Sequence, residues 1–157
     1  MNNTQPFNNK IETSLRMLCI LNEAFPKSFD IQSLIYLDYI SVHSSDIDEK
    51  MESLHPPVPN RSGEIFVRRA IVEEGLNLLY SRNLLEILYE KDGIEYKAGE
   101  NATPFLENLS SEYFKKLSLK VQWVISHFSH LNNRELHEIM QSNIERLKDE
   151  FNLELLN

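Results

Sequence analysis

The chain has little cysteine and little glycine. Cys19 is its only cysteine among 157 residues, so an internal disulfide cannot form. This cysteine usage is typical of proteins in the reducing cytoplasm, which is the localisation that we predict. Only four glycines are present, and there is no glycine-serine linker, internal repeat or low-complexity tract. The length suits one domain whose core is stable without disulfide or metal support.

Long hydrophobic runs are absent as well. No apolar stretch has the roughly 20 residues that a membrane-spanning helix needs. The first ten residues, MNNTQPFNNK, lack the basic and then apolar segments of a signal peptide. We therefore expect no membrane among the partners of this protein.

Positive charge is in deficit. Lysine and arginine together number 16, against 24 aspartates and glutamates, which gives a formal net charge of −8. A protein with this balance is not expected to hold DNA alone by neutralising many phosphates. Contact with DNA through a local patch, or inside a larger assembly, is still compatible with the composition.

Motifs that carry catalysis or bind cofactors are missing. The sequence has no P-loop, no dinucleotide fingerprint, no HExxH and no paired cysteines. Asp38, His43 and Ser44 include the residue types of a hydrolytic triad. However, Asp38 and His43 lie five positions apart on one predicted helix and point in different directions. We interpret Asp38 as a surface acid, and His43 as a residue that closes this helix where its charge suits the helix dipole.

Two further groups are equally weak candidates, one for catalysis and one for metal binding. Cys19 lies in an apolar stripe, where a reactive thiolate is not expected. Three histidines have spacings that cross a predicted turn, and no cysteine or carboxylate completes a familiar ligand set: His127, His130 and His137. We therefore predict that the protein is not an enzyme and that it has no cofactor and no metal ion.

Apolar periodicity predicts three helices in the first half of the chain, over about residues 11–25, 31–43 and 62–81. Asp30 and Ser62 are the predicted N-caps of the second and third helices. The second helix is apolar nearly all round, so we expect it at the centre of the fold or against a partner. Three prolines predict an extended path before the third helix: Pro56, Pro57 and Pro59.

An alternating pattern replaces the helical one after Asn83. Leu85, Ile87 and Tyr89 recur at every second position, and Lys91-Asp92-Gly93 is the predicted turn, since Asp-Gly is a typical hairpin signal. A long helix that runs directly into a two-stranded hairpin is typical of the second half of a winged helix-turn-helix domain.

The last third of the chain is predicted to be helical again. Thr103 and Pro104 can begin a short helix that ends near Leu109. Two longer amphipathic helices follow, joined by residues 129–133, and they predict an antiparallel hairpin. The predicted fold is mainly α, in one domain over residues 1–157. A winged helix-turn-helix core with a small β-hairpin wing covers residues 1–100, and a C-terminal helical hairpin covers residues 101–157.

Arg61, Arg68 and Arg69 lie at the start of the third helix, the position of a recognition helix in a DNA-binding domain. There they could meet phosphates or guanine edges. Against this reading, Glu64 lies in the same helix, and the hairpin carries further carboxylates: Glu86, Glu90, Asp92 and Glu95. We favour the interpretation that the arginines pair with nearby carboxylates or bind a protein partner. DNA contact stays the alternative.

Four segments carry a family resemblance, in this order: LRMLCILNEAFPKSFDIQSLIYLDYISVHSSDI, SLHPPVPNRSGEIFVRRAIVEEGL, GIEYKAGENATPFL and KLSLKVQWVISHF. On these segments the chain resembles the middle component of bacterial ABC-three-component systems, which include the Lamassu anti-phage defence systems. The resemblance covers about residues 7–136. Its most specific parts are YLDY, VHSSDI and LHPPVPNRSGE.

The resemblance implies a role inside a larger complex. In such systems an ABC ATPase that is similar to chromosome-maintenance (SMC) proteins senses foreign DNA, and a separate effector, often a nuclease, does the damage. The middle component is then a non-catalytic adaptor that bridges an SMC-like ABC ATPase dimer to the effector and restrains or licenses it. DNA is reached through the complex. The alternative function is that of a stand-alone winged-helix DNA-binding transcriptional regulator.

Candidate residues for contact with a partner, or with DNA, lie in the family-like segments and at the start of the third helix. These eight residues combine aromatic side chains with charged ones, as contact surfaces often do. They are Tyr36, Tyr39, His55, Arg61, Glu64, Arg68, Arg69 and Trp123.

Overall fold

The computed structural model of the protein describes residues 9–58 and 60–156. Pro59, one of the three prolines named above, lies outside the described residues. The fold is mainly α, as predicted, and none of the described helices is long and apolar enough to cross a membrane. In chain order the elements are α1 (Lys10–Ala24), α2 (Ile31–Val42), a 3-10 turn (Ser44–Asp46), α3 (Arg61–Ser81), β1 (Leu85–Glu90), β2 (Gly93–Ala98), α4 (Ala102–Leu106), α5 (Glu112–Phe128) and α6 (Asn133–Leu156).

The first three helices begin and end close to their predicted bounds. Asp30 caps α2 as predicted, because its side chain accepts a hydrogen bond of 2.8 Å from the backbone N–H three residues later. The cap of α3 is Asn60 and not Ser62. The Asn60 side chain accepts from the N–H of Gly63 at 3.0 Å. An N-cap lies immediately before the first helical residue, and Ser62 is already within the helix.

α2 is the central helix. Ten of its twelve residues, 33–42, are buried, and it packs against α1, α3, α5 and α6. A helix that is apolar on every side buries all its faces only when other elements surround it. The prediction that this helix is central is therefore confirmed.

α1 and α3 pack against each other over much of their length. One close contact is at Gly75, where an added Cβ would lie 3.2 Å from the backbone nitrogen of Ser14. A side chain at this position would press on the backbone of α1. The absence of a Cβ at Gly75 therefore allows the two helices to meet.

β1 and β2 form the predicted antiparallel hairpin, with Leu85 opposite Ala98 at the end nearest the core. Gly93 follows the two-residue turn with a φ of +134°, a conformation that favours glycine. On its other side β2 pairs with Phe29, through backbone hydrogen bonds of 2.8 and 3.0 Å to Tyr96. The hairpin is thereby tied to the segment between α1 and α2.

α4 is shorter than predicted and begins differently. It ends at Leu106, three residues before the predicted end at Leu109. Thr103, the predicted cap, lies inside the helix, and its hydroxyl donates to the side chain of Asn22 in α1 at 2.9 Å. The threonine therefore makes a tertiary contact and does not cap the helix.

α5 and α6 follow one another over a short connection, as predicted, but they do not pack mainly on each other. α5 packs against α1 and α2, whereas α6 packs against α2 and the 3-10 turn. Their apolar stripes are buried in this way because α2 offers apolar surface on every side. One connected core of the described residues therefore includes side chains from both sides of residue 100.

The winged helix-turn-helix assignment is not confirmed. The hairpin that follows α3 has the position of a wing. However, α2 ends at Val42 and α3 begins at Arg61, whereas the turn of a helix-turn-helix has about 3–4 residues. The long connection instead contributes the 3-10 turn and several buried polar side chains.

Candidate functional site

A fully buried carboxylate lies in the middle of α2. Asp38 is a charged residue among apolar neighbours along the helix, and its side chain is 0% exposed. Nε of Arg16, in α1, donates to Oδ1 of Asp38 at 2.6 Å. Nη1 of Arg68, in α3, donates to Oδ2 at 2.5 Å. Both arginines are also buried, so one carboxylate joins the three N-terminal helices.

The charges of this cluster balance. Burial alone would raise the pKa of Asp38, but the charges and hydrogen bonds of Arg16 and Arg68 outweigh burial and lower the pKa to about 2. Asp38 is therefore ionised at neutral pH. A second carboxylate, Glu64, accepts from Nη2 of Arg68 at 2.9 Å. Two guanidinium groups thus meet two carboxylates, which is the pairing that buried charges require.

A second ion pair ties the segment after α2 to the start of α3. Asp46, in the 3-10 turn, accepts from the Tyr39 hydroxyl at 2.5 Å and from Nε of Arg61 at 2.9 Å. Nη2 of Arg146, in α6, donates to the backbone carbonyl of Asp46 at 3.1 Å. Burial and the Asp46 carboxylate raise the pKa of Tyr39, so its hydroxyl stays a donor.

The two clusters touch, because the guanidinium of Arg68 lies 5.6 Å from the ring centre of Tyr39. At this distance a cation and an aromatic face attract each other. We call the combined set the buried charged network: Arg16, Asp38, Tyr39, Asp46, Arg61, Glu64 and Arg68.

Two buried histidines lie beside the buried charged network. The ring of His43 meets that of His55 edge-on, with centres 6.0 Å apart. Nε2 of His55 lies 2.8 Å from the hydroxyl of Tyr113 in α5. Burial and the charge of Arg68 lower the pKa of His43 to about 4, and burial and the charge of Arg16 lower that of His55 to about 3. Both rings are therefore neutral at pH 7.

These observations correct two sequence interpretations. Asp38 was expected at the surface but is fully buried, because Arg16 and Arg68 supply counter-charges from other helices. The pattern of α2 alone cannot reveal those partners. His43 does close α2, as predicted, but its lowered pKa leaves it neutral. It therefore adds no charge to the end of the helix dipole.

The arrangement can hold helices together, because its charged side chains form ion pairs with one another. Arg16, Asp38 and Arg68 have almost no side-chain surface that a ligand could reach. Cys19 is buried too, and burial raises the pKa of its thiol to about 12. In the described part of the chain, no group of three or more His, Cys, Asp and Glu side chains could hold a metal ion.

A comparison with protein-family models identifies one family over most of the chain. The family model described as "ABC-three component (ABC-3C) system Middle Component 2" matches residues 6–150. The chain belongs to this family. The resemblance expected from the four sequence segments is confirmed, and the matched range contains every residue of the buried charged network. No curated protein and no solved structure matches the chain.

The eight predicted contact residues of this middle component have different surroundings. Five lie in or beside the buried charged network: Tyr39, His55, Arg61, Glu64 and Arg68. Tyr36 is buried elsewhere, with its hydroxyl 2.5 Å from Nδ1 of His137. Arg69 and Trp123 lie apart from these, on the outer side of α3 and on α5, and Trp123 is half-buried. Contact of the eight with a partner stays a prediction.

All three arginines predicted for the recognition position of this middle component are paired with carboxylates, as the favoured interpretation expects. The pairs are Arg61–Asp46, Arg68–Asp38, Arg68–Glu64 and Arg69–Glu73. Of these arginines, Arg68 is buried and Arg61 is half-buried. They do not form a row of free cations along α3.

Sequence reasoning missed Arg16 and Tyr113. A usable signal existed, because Arg16 interrupts the apolar run LRMLCIL and Asp38 interrupts SLIYLDYI. A charge inside a run that must be buried needs an opposite charge close by. One arginine and one aspartate in such positions predict each other as partners.

Proposed function

We propose that this middle component is a non-catalytic adaptor in a Lamassu-type anti-phage defence complex of the cytoplasm. In this role it bridges an SMC-like ABC ATPase dimer to a nuclease-type effector. It restrains or licenses the effector when the ATPase senses foreign DNA. The observation that carries the proposal is the family match over residues 6–150, since a middle component of a three-component system acts together with two others.

The buried charged network supports an adaptor of fixed shape. Its ion pairs join α1, α2 and α3, and the contacts of Asp46 add the 3-10 turn and α6. Buried charges favour the one arrangement of helices that keeps them paired. A subunit that holds two larger proteins in position benefits from such rigidity. The same burial withholds the acids and bases from solvent, which supports a role without catalysis.

An adaptor also needs outer surfaces, and exposed apolar side chains provide them. Phe66 on α3 is 82% exposed, and Val67 beside it is exposed as well. At the tip of the hairpin, Tyr89 is 81% exposed and lies opposite the exposed Ile94. Exposed apolar groups that cluster in this way favour protein contact. We propose that the hairpin acts as a wing that binds a neighbouring subunit.

The alternative of a stand-alone DNA-binding regulator has weaker support. Two of the three arginines in question bind internal carboxylates, and residues 85–98 contain four acidic residues but two lysines. A wing with this balance repels a phosphate backbone. We therefore propose that DNA is reached through the assembled complex.

Co-expression with the ABC ATPase and the effector of the same system tests the adaptor proposal. The tagged middle component is purified, and the mass of the product is measured by size exclusion with light scattering. All three proteins are expected in one assembly. A middle component that stays monomeric beside both would contradict the proposal.

Duplex binding by the isolated chain tests the regulator. Fluorescence anisotropy with labelled duplex DNA at low salt is expected to show no binding. Salt-sensitive binding that Arg69→Ala weakens would favour the regulator instead. Arg69 is the suitable position because its pairing with Glu73 is exposed, so the substitution leaves the buried charged network intact.

A further inference from the structure

An open cleft of about 610 Å³ lies between α5 and the segment 51–54. Its lining contains two lysines and one glutamate. Met51, Glu52, Ser53 and Leu54 line it from the segment, and Tyr113, Lys116, Leu119 and Lys120 line it from α5. Its volume is within the range of about 300–1,000 Å³ that binding pockets occupy. We call this feature the lysine cleft.

The α5 wall of the lysine cleft belongs to a regular stripe along the helix. Lys116, Leu119, Lys120 and Trp123 occupy positions i, i+3, i+4 and i+7, which share one face of a helix. Leu119 is 66% exposed, so its side chain is accessible to a partner. Trp123, half-buried at the end of the stripe, is the type of residue that anchors protein contacts.

The charge of this stripe is opposite to that of the chain. The whole chain has a net charge of −8, but α5 contains three lysines and one glutamate. Lys115 pairs with that glutamate, Glu112, at 3.5 Å. Lys116 and Lys120 form no salt bridge with a described residue, although Glu52 lies near enough to Lys120 to act on its charge.

We propose that the lysine cleft docks an acidic amphipathic segment of another subunit in the same three-component system. An apolar side chain of that segment packs on Leu119 and Leu54, and its carboxylates bind Lys116 and Lys120. Because the rest of the chain is acidic, an acidic segment is repelled elsewhere and attracted here, which gives the contact its specificity. The inference rests on the adaptor role proposed above.

A protein segment fits the lysine cleft better than DNA does. Two unpaired lysines neutralise few phosphates, whereas DNA binding by charge needs many such contacts. The apolar side chains of Met51, Leu54 and Leu119 offer nothing to a sugar-phosphate backbone, and Glu52 in the same lining repels one. It does offer the desolvated centre that protein contacts use.

Charge reversal tests the cleft within the co-expressed complex of the middle component, the ATPase and the effector. The double variant K116E/K120E is compared with K10E/K148E, which has the same change in net charge at exposed lysines outside the cleft. We expect the affinity for one partner subunit to fall at least about tenfold in K116E/K120E and to change little in the control. Equal affinity of K116E/K120E and the unmodified chain would overturn the docking proposal while leaving the adaptor role intact.

Cross-linking of the unmodified complex provides a second readout that does not depend on how the variants fold. A carbodiimide joins a lysine amine directly to a carboxylate in contact with it. We expect cross-links from Lys116 or Lys120 to aspartates or glutamates of one partner, mapped by mass spectrometry. Cross-links to a partner from other lysines alone would overturn the proposal.

Duplex DNA binding by the chain would also overturn the proposal if K116E/K120E abolished that binding. Failure of the unmodified chain to join any complex would overturn the adaptor role, and the inference with it.

Discussion

Asp38 joins three helices through ion pairs that the sequence around it does not predict. It accepts from arginines 22 and 30 positions away in the chain. Removing a charge from water costs several kcal/mol, and only close, well-aligned counter-charges offset this cost. At the scale of the residue, the fold therefore depends on three side chains that lie on different helices and stabilise one another.

Replacement of Asp38 by asparagine is expected to destabilise the protein by about 3–5 kcal/mol. The substitution keeps the shape of the side chain but leaves Arg16 and Arg68 buried without their shared counter-charge. Urea unfolding followed by circular dichroism measures the change in free energy. The matched control is Asp149→Asn, at an exposed position, which should stay within about 0.5 kcal/mol. Equal effects of the two substitutions would contradict the role assigned to Asp38.

The two buried histidines are expected to make the stability depend on pH. Their folded-state pKa values, about 4 for His43 and about 3 for His55, lie below the ordinary value of 6.5. The unfolded chain therefore binds more protons than the folded one below about pH 6.5. The stability that the neutral rings contribute is complete above that pH and is lost as the pH falls towards about 4.

His43→Gln should make this loss of stability shallower, since one of the two titrating groups is removed. The measurement is the free energy of unfolding in urea at several pH values between about 4.5 and 7.5. His130→Gln, the same substitution at an exposed position, is the matched control for the substitution itself. If the free energy of unfolding has the same slope against pH in His43→Gln and in the unmodified protein, His43 is not buried in the neutral form. Asp38 would add a further loss only as the pH falls from about 4 towards 2, because its pKa is lowered.

The elements themselves follow largely from local sequence. The helices α1, α2 and α3 and the hairpin were predictable, because periods of 3.6 and 2 and residues such as Asp30 and Gly93 act over a few positions. The N-cap of α3 was predicted two residues late, since Asn60 and Ser62 have similar capping chemistry and only the backbone geometry decides between them. Thr103 was misassigned because its partner, Asn22, is distant in sequence.

The cap of α3 can be tested directly. Asn60→Ala should lower stability by about 1 kcal/mol, since it removes the side-chain acceptor for the N–H of Gly63. Ser62→Ala, inside the same helix, should change stability by less than about 0.5 kcal/mol. Urea denaturation midpoints of the two variants give the comparison. A larger loss of stability in Ser62→Ala than in Asn60→Ala would show that Ser62 is the N-cap.

The contact between α1 and α3 is expected to be intolerant of a side chain at Gly75. Gly75→Val should destabilise the protein by about 1–3 kcal/mol, because the new atoms meet the α1 backbone at Ser14. Ala70→Val adds two carbons at an exposed position of the same helix and should cost less than about 1 kcal/mol. Thermal unfolding of both variants provides the measurement. A Gly75→Val protein as stable as the control would show that the helices are further apart.

At the scale of the whole molecule, the charge differs between the interior, the chain as a whole and the lysine cleft. The buried charged network pairs its charges internally, the chain as a whole is acidic, and α5 presents lysines without salt-bridge partners among the described residues. The family could be recognised from four sequence segments, and the family model matches a range that contains all four. The packing of α5 and α6 around α2 could not be predicted, since an amphipathic stripe specifies that a face is buried and not what covers it.

Whether the middle component bridges the ATPase and the effector is measured by leaving it out. The ATPase is immobilised, and retention of the effector is quantified with and without the middle component. We expect the effector to be retained only when the middle component is present, and native mass spectrometry then to find all three proteins in one particle. Equal retention of the effector in the absence of the middle component would contradict the bridging role.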